Sequence, residues 1–133
     1  MDNIIKNTES IVEYWKESSN KDFSTMKNLL RSQDFSWSLF LGHLVIEKLL
    51  KAHFVKLKSQ HAPFTHDLLR ILNKLNLEYS EKHLEWMDEI TTFNLNTRYD
   101  NYKQDFNKLC TKEFTIIWIE RIGIIREWLI KKL

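Results

Sequence analysis

Two glycines and a single proline leave this chain of 133 residues few places to turn sharply, and that scarcity speaks against a sheet built from many hairpins. One cysteine, Cys110, excludes an internal disulfide and fits a reducing compartment. No neighbouring feature of the sequence activates that thiol, so it reads as inert rather than nucleophilic. A glycine-rich phosphate loop, an HExxH pair and a CxxC pair are all missing. His61 and His66 straddle the proline-containing turn instead of sharing a helix face, so neither a metal site nor a cofactor is expected. Charged residues interrupt every apolar run well short of the roughly 20 residues that span a bilayer, and the N-terminal MDNIIKNTES lacks a signal-peptide pattern. The expectation is a cytoplasmic protein that does not enter a membrane. A formal charge of +2 is too near balance for the basic footprint of a typical nucleic-acid binder, which confines any such contact to a local patch.

What the chain does have is long stretches with apolar residues at i, i+3, i+4 spacing and five Trp. These predict an all-α fold with a bulky core: an up-and-down bundle of about five helices, one domain over residues 1–133. From about Ile4 to Leu30, Val12, Trp15, Phe23, Met26 and Leu30 keep one helical stripe. Ser19 occupies the same stripe without breaking the period, and the small residues Ser18 and Ser19 suit a close helix crossing. Arg31, Ser32 and Gln33 form a short connection, and Asp34 is placed to cap a second helix running to Gln60, so the two make a long antiparallel hairpin. The second helix is apolar nearly all round, with Phe40, Leu50 and Phe54 on one face and Leu41, Val45 and Ala52 on the other, and so belongs in the middle.

Beyond the only proline, Thr65 is placed to cap a short third helix from His66 to about Lys74, and Ser80 a fourth from Glu81 to about Thr91. The periodicity then fails from about Thr92 to Cys110, which predicts a long irregular loop pinned by Phe93, Tyr99, Tyr102 and Phe106. Thr111 caps a last long helix with Phe114, Trp118, Ile122, Ile125 and Trp128 or Leu129 inward, and Lys131 and Lys132 complement the dipole at its end.

One polar stripe stands out. His43, Glu47 and Lys51 follow at i, i+4 spacing on the central helix, the first two on the same face as Phe40, Leu50 and Phe54. A core-facing carboxylate needs a cation or several donors beside it. Arg98 in the expected loop is the predicted cation, with Lys51 swinging out to solvent. The bland reading of this set is scaffolding: a helix-stabilising Glu47–Lys51 pair, a satisfied core histidine, and an Arg98 that pins a loop against Tyr99 and Tyr102.

Taken in order, GHLVIEKLLKAHFVKLK at 42–58, PFTHDLLRIL at 63–72 and TRYDNY at 97–102 resemble the HEPN (higher eukaryotes and prokaryotes nucleotide-binding) domain family. The likeness runs over nearly the whole chain, from a long first helix carrying Trp15 and Asp22 through the His-x-x-x-Glu-Lys-x-x-Lys-Ala helix to an Arg-Tyr loop before the last helix. It implies a helical bundle that pairs as a homodimer, often encoded beside a minimal nucleotidyltransferase as a toxin and antitoxin pair, with a role in nucleotide or RNA handling.

Two departures qualify it. The family's Arg-Tyr-Pro-Asp-Tyr loop is here Arg98, Tyr99, Asp100, Asn101 and Tyr102, without the stiffening proline. Its ribonuclease members carry an arginine followed, after a short and variable gap, by a histidine; the matching positions after Arg98 hold Lys103, Gln104 and Asp105, and no histidine follows His83. The usual cleavage pair is therefore missing, and an enzyme is not the first expectation. The resemblance makes the chain a nucleotide-binding and assembly module in which Arg98 and Lys51 contact phosphate, Tyr99 or Tyr102 stacks a base, and His43 and Glu47 hold the central helix. Two alternatives stay open: a ribonuclease with a variant site, using Arg98 with Tyr102 or His66, and a purely structural oligomerisation domain.

Overall fold

The computed structural model describes residues 7–133, and among these there are six helices and no strand. The helices are α1 (Thr8–Arg31), α2 (Phe35–Lys58), α3 (Leu68–Leu72), α4 (Glu81–Arg98), α5 (Asp100–Leu109) and α6 (Lys112–Lys132). Ile4, the expected start of the first helix, lies outside the described residues. As its all-round apolar pattern requires, α2 is central: it contacts every other helix, and 14 of its 24 residues are buried.

The α1–α2 hairpin closes through Gln33, whose φ of 66° lets the chain reverse within three residues. Asp34 N–H donates to Leu29 O at 2.8 Å. Asp34 sits at the N-cap position of α2 but makes no side-chain cap, because its carboxylate takes the Ser32 hydroxyl at 2.6 Å instead. Two buried serines then set the register. Ser19 Oγ on α1 donates to Val45 O at 2.8 Å, and Ser38 Oγ on α2 donates to Met26 O at 2.8 Å. Each pair is two turns from the other on both helices, so the hydroxyls tie an antiparallel crossing at matched depths and only small side chains fit between. The polar flank of the same seam is closed by Lys48, which reaches Asp22 at 2.6 Å and Ser18 Oγ at 2.7 Å.

The remaining helices carry the end signals expected of them, with corrections. Ser80 caps α4 by accepting from His83 N–H, and His83 Nδ1 accepts Ser80 N–H at 3.0 Å in return, a capping box with histidine in the usual Glu or Gln position. Thr111 caps α6 by accepting from Phe114 N–H at 3.2 Å, and Thr115, Trp118, Ile122, Ile125 and Leu129 are its buried residues. The third helix is shorter than predicted. Thr65 does not cap it; Thr65 Oγ1 takes Asp67 N–H, Asp67 caps α3 through Arg70 N–H, and His66 stays in the preceding turn.

The predicted irregular loop over 92–110 is wrong. α4 continues to Arg98, one extended residue, Tyr99, makes an elbow, and α5 fills the rest. The physical reason is burial: Phe93, Asn94 and Thr97 lie on the inward face of α4 and Phe106 on that of α5, so packing overrides a run of poor helix formers.

The seam makes one clear demand. Ser19→Leu should lower the unfolding free energy by about 1–3 kcal/mol through overpacking, against about 1 kcal/mol for Ser19→Ala, which loses only the hydroxyl bond. Urea titration of the two variants measures this, and an unchanged midpoint for the leucine variant would contradict so tight a crossing.

Candidate functional site

Glu47 is 4% exposed on the inward side of α2. Both of its oxygens are taken: Oε2 accepts from Lys51 Nζ at 3.0 Å, and Oε1 accepts from His66 Nδ1–H at 2.8 Å. Lys51 is the i+4 residue and is itself buried, with its ammonium 5.4 Å from the ring centroid of Trp15 on α1. The expectation that Lys51 swings outward is therefore wrong: its charge stays with the carboxylate, and an aromatic face covers it.

His66 arrives from the connection between α2 and α3. Thr65 N–H donates to Pro63 O, Asp67 N–H to Thr65 Oγ1, and Leu68 N–H to Thr91 Oγ1 of α4 at 3.2 Å. The turn is thus fixed on both sides of His66. Its own carbonyl accepts from His43 Nε2–H at 2.7 Å. His43 is completely buried and 3.8 Å from Glu47 Oε1, too far for a hydrogen bond, so its part is to hold the backbone of His66. The imidazole of His66, by contrast, keeps 55% of its side chain exposed. With Nδ1–H given to the carboxylate, the lone pair of the neutral ring is left on Nε2.

The four residues His43, Glu47, Lys51 and His66 are therefore one cluster, and the sequence-predicted Arg98 is not part of it. Thr97, the residue before Arg98, donates its hydroxyl to Ser36 O in the first turn of α2. A rise of about 1.5 Å per residue then puts about 16 Å of helix between that point and Glu47. Arg98 is exposed at the end of α4, together with Tyr99 and Tyr102, which are 52% and 48% exposed. This elbow holds an arginine and two accessible rings, and Lys103 adds a cation 5.9 Å from the ring centroid of Trp37. Trp37, Lys103 and the fully exposed Phe64 were not singled out from the sequence; Trp37 is far from Arg98 along the chain, and only the fold brings it beside Lys103. Among the described residues no group of His, Cys, Asp or Glu has the arrangement of a metal site, and no helix is long and apolar enough to cross a membrane. Burial pushes the Cys110 thiol up to about 12, so it carries little thiolate.

Burial also drives His43 below its ordinary value of 6.5; the bond to the His66 carbonyl and the charge of Glu47 pull the other way without reversing it. The cause is visible in the geometry, since Nδ1 is buried without a partner and a proton there would have no acceptor. His53, which bonds Leu129 O, and His83 are shifted in the same direction by burial. For a base depressed in the folded state the unfolded chain takes up the proton first as pH falls. Their contribution to stability is then present above the unfolded value of 6.5 and is lost as pH drops below it. The urea midpoint should accordingly fall between about pH 7 and about pH 5, and a midpoint flat across that interval would mean that these histidines are not held neutral.

Against known proteins, the family model of the HEPN domain matches residues 12–133. Among curated proteins none matches. A solved structure with the same fold is the crystal structure of TT1696 from Thermus thermophilus, with a TM-score of 0.79 over 92% of this chain and 98% of that one, at 17% sequence identity.

Proposed function

We propose, since this chain belongs to the HEPN domain family, that it is a nucleotide- or RNA-binding and assembly module which lacks that family's arginine–histidine cleavage pair. The observation that carries the reading is the α4–α5 elbow. There Arg98, Tyr99 and Tyr102 stand exposed with no ion pair or aromatic pair inside the described residues, and Lys103 lies beside the accessible ring of Trp37. A guanidinium attracts phosphate, and each stacked base contributes roughly 1–3 kcal/mol without any proton-transfer group. The Glu47 cluster is the structural counterpart: it fixes α2 and the His66 turn, and Lys51 is spent on Glu47 rather than on phosphate. On this reading the chain works as one unit in the cytoplasm, paired with a nucleotidyltransferase in a toxin and antitoxin arrangement. A reading frame for such an enzyme next to this one would favour that partner.

Binding of this kind depends on counterion release. Fluorescence polarisation with a short single-stranded RNA should show affinity falling as salt rises, and Arg98→Ala should weaken binding and reduce the salt slope by about 1. Equal affinity and slope for the variant would remove Arg98 from the site.

The second copy is expected on α6. Ile116, Ile117, Ile124 and Ile130 are exposed there, and a Cβ added to Gly123 beside them would meet nothing within 4 Å. So many exposed isoleucines on one helix are more than a lone bundle normally leaves to water, and a two-fold contact between copies would cover them. Light scattering from micromolar to hundred-micromolar protein should give a dimer mass, and Ile124→Glu should shift it toward monomer. A monomer mass throughout would sink this.

A further inference from the structure

We propose that the outward face of α6 is a docking surface for a basic amphipathic helix of another protein, which it takes in preference to a second copy of this chain. The proposal rests on the assignment of α6 as the contact face and goes beyond it by naming the occupant whose charge that face fits.

α6 turns a row of acids to solvent through the middle of its apolar surface. Glu113, Glu120 and Glu127 are exposed and spaced at seven residues, so they stack every second turn in one nearly straight line, about 10.5 Å apart. Apolar positions follow three and four residues after these acids. Ile116, Gly123 and Ile130 therefore flank the row on one side, and Ile117 and Ile124 on the other. Glycine at 123 leaves a hollow in the first strip, part of an open groove of about 670 Å³ that Glu120, Ile124, Glu127, Trp128 and Lys131 also line. The wall of the groove is firm, since the Trp128 ring stacks on that of His83 at 4.0 Å between centroids.

The row is poorly neutralised from within the chain. Among the described residues its one ion-pair contact is Arg126 Nη1 to Glu127 Oε1 at 3.6 Å, and Glu127 still keeps 62% of its side chain exposed. That guanidinium is turned to α1, where it lies 3.9 Å from the centroid of the Phe23 ring and donates Nη2–H to Asn20 Oδ1 at 3.3 Å.

Charge decides between the occupants. A two-fold contact on this face sets the acids nearest the axis against the acids of the other copy, because the row runs along the centre of the patch. The isoleucines draw the copies together while the facing carboxylates push them apart, which leaves the second copy the weaker occupant. A helix with apolar residues on both sides of a row of Lys or Arg at seven-residue spacing covers the same isoleucines and sets a cation opposite each carboxylate. RNA and an anionic lipid surface would both meet the row with like charge, so the partner is a protein.

The test uses the full chain with two synthetic helical peptides, each with leucines flanking a central row at seven-residue spacing, lysine in one and glutamate in the other. Fluorescence polarisation should show the lysine peptide binding about 10-fold more tightly or better, by a margin that shrinks as salt screens the charges. Light scattering should show the dimer mass falling to that of one chain with one peptide as the lysine peptide is added. In Glu120→Lys/Glu127→Lys the preference should reverse, and because both acids are exposed the reversal leaves the core untouched. Glu13→Lys/Glu17→Lys, the same change of net charge on exposed positions of α1, should bind as the wild type does. Mixed in equal amounts, wild type and Glu120→Lys/Glu127→Lys should form more heterodimer than both homodimers together, as read by native mass spectrometry with one chain labelled with nitrogen-15. A dimer that the lysine peptide leaves intact, or equal affinity for the two peptides, overturns the proposal and leaves the second-copy reading standing. A chain that is monomeric throughout yet takes only the lysine peptide upholds the docking surface and removes the second copy. A monomer that takes neither peptide overturns both.

Discussion

A carboxylate on the inward face of the central helix is the constraint to which much of this fold answers. Left alone, a buried Glu47 would take up a proton or cost several kcal/mol. With both oxygens held by N–H donors, one of them cationic, that cost is offset inside a small volume. Each donor has a structural consequence. Lys51 must turn inward, which requires Trp15 of α1 to cover it, and His66 must come back to α2 from beyond its C-terminus. From Glu47 to Lys58 the helix advances about 16 Å. The extended chain from Lys58 to His66 reaches up to about 27 Å, so the return is short enough to be firm and long enough to be unstrained. The contrast with Lys48 is instructive: one turn away on the wetter flank, it pairs with Asp22 on the neighbouring helix, where water screens the pair and a smaller contribution follows.

The second dependence is steric. α2 can be surrounded on all sides only because it and α1 are thin where they cross. Ser19 and Ser38 are small enough to let the backbones approach, and each hydroxyl finds a carbonyl on the opposite helix, so the small residues leave no buried donor unmet. Gly42 does the same toward α6, since a Cβ there would run into the Ile122 side chain and close on Met26 as well. The polar cluster and the close seam occupy the same helix. Moving α1 outward would uncover Lys51 as well as open the core.

Much of this was legible from residues alone because the signals were local. The hairpin, the centrality of α2, the Ser80 and Thr111 caps, the inward stripe of α6 and the small-residue crossing follow from periodicity and capping chemistry within a few turns. The stretch over 92–110 was not legible, because Thr92, Asn94, Asn96 and Thr97 have weak helix propensity and the pattern that rescues them, Phe93 and Thr97 inward with Phe106 on the next helix, is sparse and set by distant partners. The cation for Glu47 was misassigned for a related reason. That a carboxylate on a core stripe needs a donor can be read from the sequence, but which donor reaches it depends on the fold. Reading the stretch around Arg98 as a loop made it free to travel, whereas the end of α4 pins it beside Ser36. Lys51 was in view at i+4 throughout, but the direction of one long side chain is decided by whether Trp15 is there to receive it.

α4 joins the two polar regions that this geometry separates. Its Thr91 accepts from the turn that presents His66, and its Thr97 donates to Ser36 beside the Arg98 elbow, so both regions hang on the same two turns of one helix. From Thr91 to Arg98 those turns rise about 10 Å. The buried side of α4 between them, Phe93 and Asn94, belongs to the core and cannot yield without disturbing Phe106 and Trp118. The distance between the two regions is thus set by rigid helix rather than by loop.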